Sequence, residues 1–192
     1  MAVEIELKAH VKDYKALRLI LAEKAIYQSS FEKEDTYWLL DEAPDHKPGA
    51  LRIRRESRIF SDGKKESFTF ATYKTKQVVD GIEINDEREF EIRSVSNRDE
   101  NKLDELLRYL RLKPGLTKRK KGWFFSREDI NAELTEVEGL GWFIELELLA
   151  DNNREETVTQ GRKKLLDFLD GLGIERGAIE SRFYSEMLTV KK

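Results

Sequence analysis

The chain has 192 residues, of which 39% are hydrophobic and 38% charged, a content that suits one domain with an apolar core. Its 35 Lys and Arg residues nearly balance its 38 Asp and Glu residues, and the formal net charge of −3 lacks the basic surplus of most nucleic-acid-binding proteins. The sequence has no cysteine and two histidines, His10 and His46, so disulfides, thiolate zinc sites and multi-histidine metal centres are excluded, and a metal site would need the oxygen ligands that suit Mg²⁺ or Mn²⁺.

The first half of the chain shows one helical pattern among several strand patterns. Residues 3–10, VEIELKAH, alternate apolar and charged positions, which predicts a strand with one apolar and one charged face. A helical period over residues 12–26 predicts the first helix. The dipeptide Asp80-Gly81 indicates a tight hairpin. Further strands are expected at 35–40, 51–57, 66–76 and 82–93, with a proline-containing loop at 41–50.

The second half repeats this arrangement. Leu103, Leu106, Leu107 and Leu110 recur at helical spacing and predict a helix over residues 99–112, which Pro114 and Gly115 are expected to end. Runs of strands joined by short turns favour an α+β fold with a closed or strongly curved antiparallel sheet. Three strands are expected at 116–125, 131–137 and 142–149, and two helices at 153–172 and 178–188.

The charged residues of the predicted strands segregate from strand to strand. A sheet with one solvated face is one explanation, and an interior cavity lined by charges of both signs is the other. Segregation favours the cavity, because neighbouring carboxylates repel each other unless a cation lies between them. E-x-E pairs would then hold Mg²⁺ or Mn²⁺ and the cationic strands a polyanion. The pairs are Glu4/Glu6, Glu89/Glu91 and Glu145/Glu147, and the cations are Arg52, Arg54, Lys74, Lys118 and Lys120.

Eight segments, in order along the chain, resemble one family. EIELK at residues 4–8 resembles the E-x-E-x-K signature of the CYTH superfamily, the triphosphate tunnel metalloenzymes, which include class IV adenylyl cyclases, thiamine triphosphatases and inorganic tripolyphosphatases. That signature alone is a weak pattern, but eight elements in the family's order make a specific one. The other seven are DTYW (35–38), LRIRR (51–55), TYKTK (72–76), EREFE (87–91), KRK (118–120), VEGLGWFIELE (137–147) and SRFYSEML (181–188).

The resemblance implies a single domain over residues 1–192, an eight-stranded antiparallel β-tunnel (barrel) with a charged lumen and helices covering its outside. Val3, Ile5 and Leu7 would then face outward, towards the helices. Burial of so many charges is tolerable where they are paired, solvated or bound to a ligand.

The resemblance also implies roles for individual residues. Lys8, Glu4 and Glu6 are the expected catalytic residues. Glu4, Glu6, Glu89, Glu91, Glu145 and Glu147 would hold the divalent metal, and Lys8, Arg52, Arg54, Lys74, Lys118 and Lys120 would bind phosphate oxygens. Three positions depart from the common family pattern: Glu87 and Lys120 stand where many members have Arg, and Thr135 stands where many have Asp.

The function expected from the resemblance is that of a metal-dependent enzyme acting on a triphosphate. A class IV-type adenylyl cyclase, which converts ATP to cyclic AMP and pyrophosphate, is slightly favoured over an inorganic tripolyphosphatase or a thiamine or nucleoside triphosphatase. A non-catalytic polyphosphate- or nucleotide-binding module is the alternative from another class. The expected partner is a small triphosphate, namely ATP, tripolyphosphate or thiamine triphosphate, with no nucleic acid and no membrane. A cytoplasmic location is expected because there is no long apolar run and no signal-peptide pattern, and a homodimer is left open.

Overall fold

The computed structural model describes residues 3–40, 51–79, 82–93, 100–152 and 154–190. The predicted loop at 41–50 and the Asp80-Gly81 turn lie outside the described residues, as do the side chains of Lys74 and Glu87. The strands are β1 (Val3–His10), β2 (Ile26–Leu40), β3 (Leu51–Phe60), β4 (Lys65–Val79), β5 (Ile82–Glu91), β6 (Leu112–Arg127), β7 (Ile130–Val137) and β8 (Gly141–Ala150). The helices are α1 (Tyr14–Lys24), α2 (Glu100–Tyr109), α3 (Glu155–Gly171) and α4 (Tyr184–Val190).

The eight strands form a closed antiparallel barrel in the order β1-β5-β4-β3-β2-β6-β7-β8. Closure depends on β1, which pairs with β5 through Ile5 and Ile84 and with β8 through Ile5 and Leu148. Val79 pairs with Ile82, which confirms the predicted hairpin between β4 and β5. The α+β barrel expected from the sequence is therefore confirmed.

The apolar face of β1 points outward and packs under helices. Val3, Ile5 and Leu7 belong to a buried cluster that also contains Leu165 and Leu169 of α3. Gly161 allows α3 to approach closely, since a Cβ at that position would lie 2.5 Å from Ile5 Cδ1. The helices that follow β1 and β8 thus cover one side of the barrel, and the alternate residues of β1 face the lumen.

The structure differs from the predicted elements in several places. The last helix begins at Tyr184 instead of residue 178, and a short 3₁₀ turn at Arg176–Ala178 precedes it. Strand β2 begins at Ile26, whereas the strand was predicted to begin at residue 35. The first half of β2 was missed because it carries polar residues on both faces and shows no alternation. Pro114 and Gly115 lie inside β6 and do not end α2, which stops at Tyr109 before Arg111 turns with φ 62°. Pro114 is tolerated because it stands opposite Trp38, at an irregularity in the pairing of β2 with β6.

Helix α2 buries less of its leucine face than the sequence suggests. Leu107 is buried in a small cluster with Trp38 and Ile53, whereas Leu106 and Leu110 are 53% and 58% exposed.

Among the described residues, no helix combines the length and the apolar content needed to span a membrane.

Candidate functional site

A row of three charged side chains crosses the lumen face from β6 to β3. Asp35 of β2 is opposite Lys118 on one side and Arg54 on the other. Its carboxylate accepts hydrogen bonds from Arg54 Nε at 2.7 Å and Arg54 Nη2 at 3.0 Å, and Lys118 Nζ lies 3.1 Å away. Asp35 is fully buried. Burial alone would raise the pKa of Asp35, but Arg54 and Lys118 hold that pKa well below its ordinary value.

A second group of paired charges lies next to this row. Lys120 Nζ donates to both oxygens of Glu145, at 2.7 and 2.9 Å, and lies 3.2 Å from Glu133 Oε2. Burial would lower the pKa of Lys120, but Glu145 and Glu133 raise it. Lys33 donates to Glu133 and lies 3.9 Å from Glu56 Oε1. Burial lowers the pKa of Lys33. Burial would raise the pKa of Glu133, but the positive charges of Lys33 and Lys120 outweigh this effect and hold the pKa of Glu133 far below its usual value.

The carboxylates of β1 and β8 meet across their shared strand boundary. Glu6 is directly opposite Glu147, and Lys8 is opposite Glu145. Burial raises the pKa of Glu147 to about 7, with further contributions from the negative charges of Glu133 and Glu6, and Asn131 Nδ2 donates to Glu147 at 3.1 Å. This part of the lumen therefore concentrates negative charge.

The family resemblance implies a divalent metal, and the donor set of this region fits one. All the candidate ligand atoms of Glu6, Glu145 and Glu147 are carboxylate oxygens, which Mg²⁺ and Mn²⁺ prefer. The repulsion that raises the pKa of Glu147 would be relieved by a bound cation. Among the described residues, no three carboxylates or imidazoles lie close enough together in this structure to hold a metal ion. The Glu145 oxygens accept hydrogen bonds from Lys120 and Tyr184.

The acidic pair of β5 has arginine partners. Glu89 accepts a hydrogen bond from Thr72 Oγ1 at 2.7 Å and lies 3.1 Å from Arg52 Nη2. Glu91 is exposed and binds Arg93 at 3.0 Å. The role of these two carboxylates as metal ligands stays a prediction.

Arg52 and the predicted phosphate contacts on β4 and β6 follow the register of the strands. Arg52 shares the face of Arg54 and donates to Thr72 Oγ1 at 3.0 Å. Lys74 is in register with Glu87 on β5. Lys118 and Lys120 are 6% and 5% exposed, so both face inward as predicted.

The C-terminal helix α4 contributes an aromatic side chain to the lumen. Tyr184 donates its hydroxyl to Glu145 Oε1 at 2.6 Å, and burial together with Glu145 raises the pKa of Tyr184 well above its ordinary value. The ammonium groups of Lys118, Lys8 and Lys120 lie 5.1, 5.5 and 5.8 Å from the centre of the Tyr184 ring. Helix α4 thus completes one part of the lumen wall.

The segment that precedes α4 is fixed to β1. Glu180 N donates to Lys8 O at 2.9 Å, and Ile179 bridges to Ala9. The Glu180 carboxylate lies 3.2 Å from His10 Nε2 and accepts two hydrogen bonds from the Arg182 guanidinium. His10 therefore lies at the edge of the lumen with a structural partner.

The lumen residues that were not assigned from the sequence include Asp35, Lys33, Glu133 and Tyr184. Glu133 alternates on the charged face of β7, so that signal was visible. Lys33 lies in the part of β2 without clear alternation, and Asp35 is the first residue of the strand predicted at 35–40. Tyr184 comes from a helix, which strand periodicity cannot reveal.

A cleft of about 1070 Å³ joins the lumen to the space beside α2, because it is lined both by Lys33 and Lys120 of the lumen and by Leu103 and Leu106 of α2. Two arginines on its outer side have acidic partners: Arg119 Nε binds Glu34 Oε2 at 2.8 Å, and Arg55 Nη2 binds Asp104 Oδ1 at 2.6 Å. The cleft therefore belongs to the same candidate site as the buried charges of the lumen.

Comparison with known proteins shows the family and the fold of this chain. The family model described as "CYTH domain" matches residues 2–184. The protein named "Putative adenylate cyclase MJ0240", from Methanocaldococcus jannaschii, is 30% identical over 139 residues, which cover 72% of this chain and 70% of that protein.

Solved structures with the same fold include the PH1819 protein from Pyrococcus horikoshii OT3, with 30% identity, a TM-score of 0.80, and coverage of 98% of this chain and 99% of that one. The adenylyl cyclase homologue HpAC1 from Hippeastrum, described as having a dominant triphosphatase activity, is 18% identical with a TM-score of 0.61 and covers 100% of this chain and 95% of its own. This second likeness concerns the fold alone. On the family match over nearly its whole length, the chain belongs to the CYTH domain family.

Proposed function

We propose that this protein is a metal-dependent enzyme that binds a triphosphate in the barrel lumen and converts ATP to cyclic AMP and pyrophosphate. The observation that carries the proposal is the division of the lumen into two parts. Lys118 and Arg54 converge on Asp35, and close by, burial together with the negative charges of Glu133 and Glu6 raises the pKa of Glu147. This arrangement is complementary to a phosphate chain with its metal ion, because the phosphates would contact the cationic side chains and the metal ion would contact the carboxylates.

The cationic side chains would bind and orient the phosphate oxygens. Arg54 presents a planar guanidinium that can bind two oxygens at once, whereas Lys118 and Lys120 act as point charges. Lys8 is nearly fully buried beside the Tyr184 ring and would contact the reacting phosphate. Phosphoryl chemistry depends mainly on positioning and on neutralising charge, and these residues supply both.

Glu4, Glu6, Glu145 and Glu147 would hold Mg²⁺ or Mn²⁺, and a metal bound there supplies positive charge against the phosphates. Glu89 and Glu91, which form ion pairs with Arg52 and Arg93, stay predicted ligands with these four carboxylates for one or two metal ions. Within this proposal, the barrel wall excludes bulk water from the reacting groups and fixes the triphosphate along one direction.

The preference for cyclisation is supported by the name of the M. jannaschii relative. Hydrolysis is the second candidate, because the Hippeastrum homologue of the same fold is described by its triphosphatase activity. A non-catalytic binding module is disfavoured, because anion binding alone does not require the carboxylates of β1 and β8. The cytoplasmic location and the homodimer stay predictions.

The deciding experiment incubates the purified protein with ATP, tripolyphosphate or thiamine triphosphate, each with Mg²⁺ or Mn²⁺, and separates the products. Cyclic AMP with pyrophosphate supports the proposal, whereas orthophosphate supports the hydrolase. Tight binding of a triphosphate without turnover would show a binding module.

The metal assignment is tested by replacing both β1 carboxylates. We expect Glu4→Ala with Glu6→Ala to abolish metal-dependent turnover and leave the melting temperature nearly unchanged. The matched control is Glu155→Ala with Glu156→Ala, an exposed pair in the first turn of α3. Full turnover in the β1 double variant would refute the metal assignment.

A further inference from the structure

Two phenylalanines stand on the otherwise charged lumen face of β4. Phe70 is directly opposite Arg54, and Phe68 is directly opposite Glu56. Residues opposite each other in an antiparallel pair share one face of the sheet, and Arg54 reaches the buried Asp35 in the lumen. Phe68 and Phe70 are therefore lumen residues, and both are only half-buried.

The two rings are stacked and nearly parallel. Their centroids are 5.9 Å apart and their planes differ by 17°. The Arg58 guanidinium lies 5.2 Å from the centre of the Phe68 ring, so this ring already has a cation over it. We call Phe68 and Phe70 the aromatic platform.

The platform lies beside the cations that are proposed to bind phosphate. Opposite residues of antiparallel strands have Cβ atoms roughly 5 Å apart, so Phe70 is next to Arg54. Phe68 is one same-face step further along the strand, roughly 7 Å from Phe70. A triphosphate held by Arg54 and Lys118 would therefore direct the group attached to its phosphates towards these rings.

We infer that the aromatic platform binds the base of a nucleoside triphosphate, which makes Phe68 and Phe70 specificity-determining residues. This inference rests on the proposed triphosphate site and adds to it the residues that recognise the base. Stacking of a base on an aromatic side chain stabilises binding without regard to base sequence. Inorganic tripolyphosphate has no ring to stack. Thiamine triphosphate carries a cationic ring, which the positive charge of Arg58 beside Phe68 disfavours.

The test compares dissociation constants for ATP, thiamine triphosphate and tripolyphosphate, measured by calorimetry with Ca²⁺ in place of Mg²⁺ and with products monitored to exclude turnover. We expect Phe68→Leu and Phe70→Leu each to weaken ATP binding about tenfold and to change tripolyphosphate binding less than about twofold. Leucine retains most of the apolar volume but removes the ring. Phe70→Tyr restores the ring and should restore ATP affinity.

Phe90→Leu is the matched control, because Phe90 is a 63% exposed phenylalanine of the neighbouring strand β5. It should leave all three constants unchanged. Equal losses for ATP and tripolyphosphate, or no loss for ATP, would overturn the inference while leaving the proposed site intact. Thiamine triphosphate bound more tightly than ATP, with the same loss in both leucine variants, would overturn the nucleotide assignment. A wild-type protein that binds none of the three would overturn the proposed function itself.

Discussion

Asp35 and Arg54 form a two-point ion pair inside the barrel, with Nε and Nη2 of the arginine 2.7 and 3.0 Å from the two carboxylate oxygens. Lys118 approaches one of those oxygens from the strand on the other side of β2, at 3.1 Å. One carboxylate thus fixes the positions of two cations that are proposed to contact phosphate, although Asp35 itself need not touch the substrate.

Replacing Asp35 should cost both stability and triphosphate affinity. Asp35→Ala leaves Arg54 and Lys118 buried without their carboxylate, so we expect the free energy of unfolding to fall by about 3–5 kcal/mol in urea titrations. Asp35→Asn keeps the shape and should lose less stability, but triphosphate should bind more weakly because Arg54 is less well oriented. The exposed Asp167, paired with Lys163, supplies the control Asp167→Asn, which should change little. Tighter triphosphate binding by Asp35→Asn would instead show that Asp35 competes with the substrate.

Glu147 should make the metal-free protein less stable as the pH rises towards neutrality. Its pKa is about 7 in the folded protein and ordinarily 4.5, so the folded state holds this proton more tightly than the unfolded state. The associated stability is fully present below pH 4.5 and is lost as the pH rises through about 7.

Glu147→Gln removes this dependence. In EDTA, we expect the melting temperature of Glu147→Gln to exceed that of the wild type by a few degrees at pH 8 and to match it at pH 4.5. The difference at pH 8 corresponds to about 1 kcal/mol in the free energy of unfolding, after allowance for the half-buried side chain. Mg²⁺ should raise the wild-type melting temperature more at pH 8 than at pH 5. Glu23→Gln on the exposed side of α1 is the control. Parallel melting curves for wild type and Glu147→Gln at all pH values would contradict the assignment.

Tyr184→Phe tests the link between α4 and the lumen. The variant keeps the ring beside the three lysines but removes the hydroxyl that donates to Glu145 at 2.6 Å. A hydrogen bond to a charged group contributes roughly 1.5–3 kcal/mol, so thermal or urea unfolding should show a loss near that size. Tyr109→Phe, at an 85% exposed position of α2, should have no effect. A stability equal to that of the wild type would mean that the hydroxyl finds an equivalent partner in water.

Gly161→Ala tests the packing of α3 on the outside of the barrel. The new Cβ would lie 2.5 Å from Ile5 Cδ1 and 3.2 Å from Leu148 Cδ1, so side chains of β1 and β8 must move. Overpacking of this kind costs about 1–3 kcal/mol, which calorimetric melting would detect. Gly171→Ala, where nothing lies within 4 Å, is the control and should be neutral or stabilising. If Ile5→Val restores the stability of Gly161→Ala, the contact is confirmed.

The sequence pattern was enough to predict an α+β fold with a closed or strongly curved antiparallel sheet and the direction in which many side chains point, whereas the eight-stranded barrel was implied by the family resemblance. In β6 the run from Lys118 to Lys121 is all cationic, and the structure separates it cleanly: Lys118 and Lys120 are buried, whereas the Arg119 and Lys121 side chains are 59% and 65% exposed. Strict two-residue periodicity allowed that separation to be predicted.

The grouping of the carboxylates could not be predicted in the same way. Two or three E-x-E pairs were expected to converge, and nothing in their sequence indicates that Glu89 and Glu91 form ion pairs with Arg52 and Arg93. The position of a residue around a barrel depends on strand order and on the stagger between strands, and neither can be derived from the pattern within one strand. For the same reason, the sequence does not reveal that Asp35 contacts cations of two different strands, Arg54 of β3 and Lys118 of β6.

The pairing of β1 with β8 has a consequence for how the protein is made. Residues 3–10 of β1 must wait for residues 141–150 before the ring can close, and Tyr184 joins the lumen later still. During synthesis β1 therefore lacks one of its two partner strands until β8 has been made. Contacts between such distant residues also slow folding. A nascent chain would acquire the complete lumen only after Tyr184 has left the ribosome.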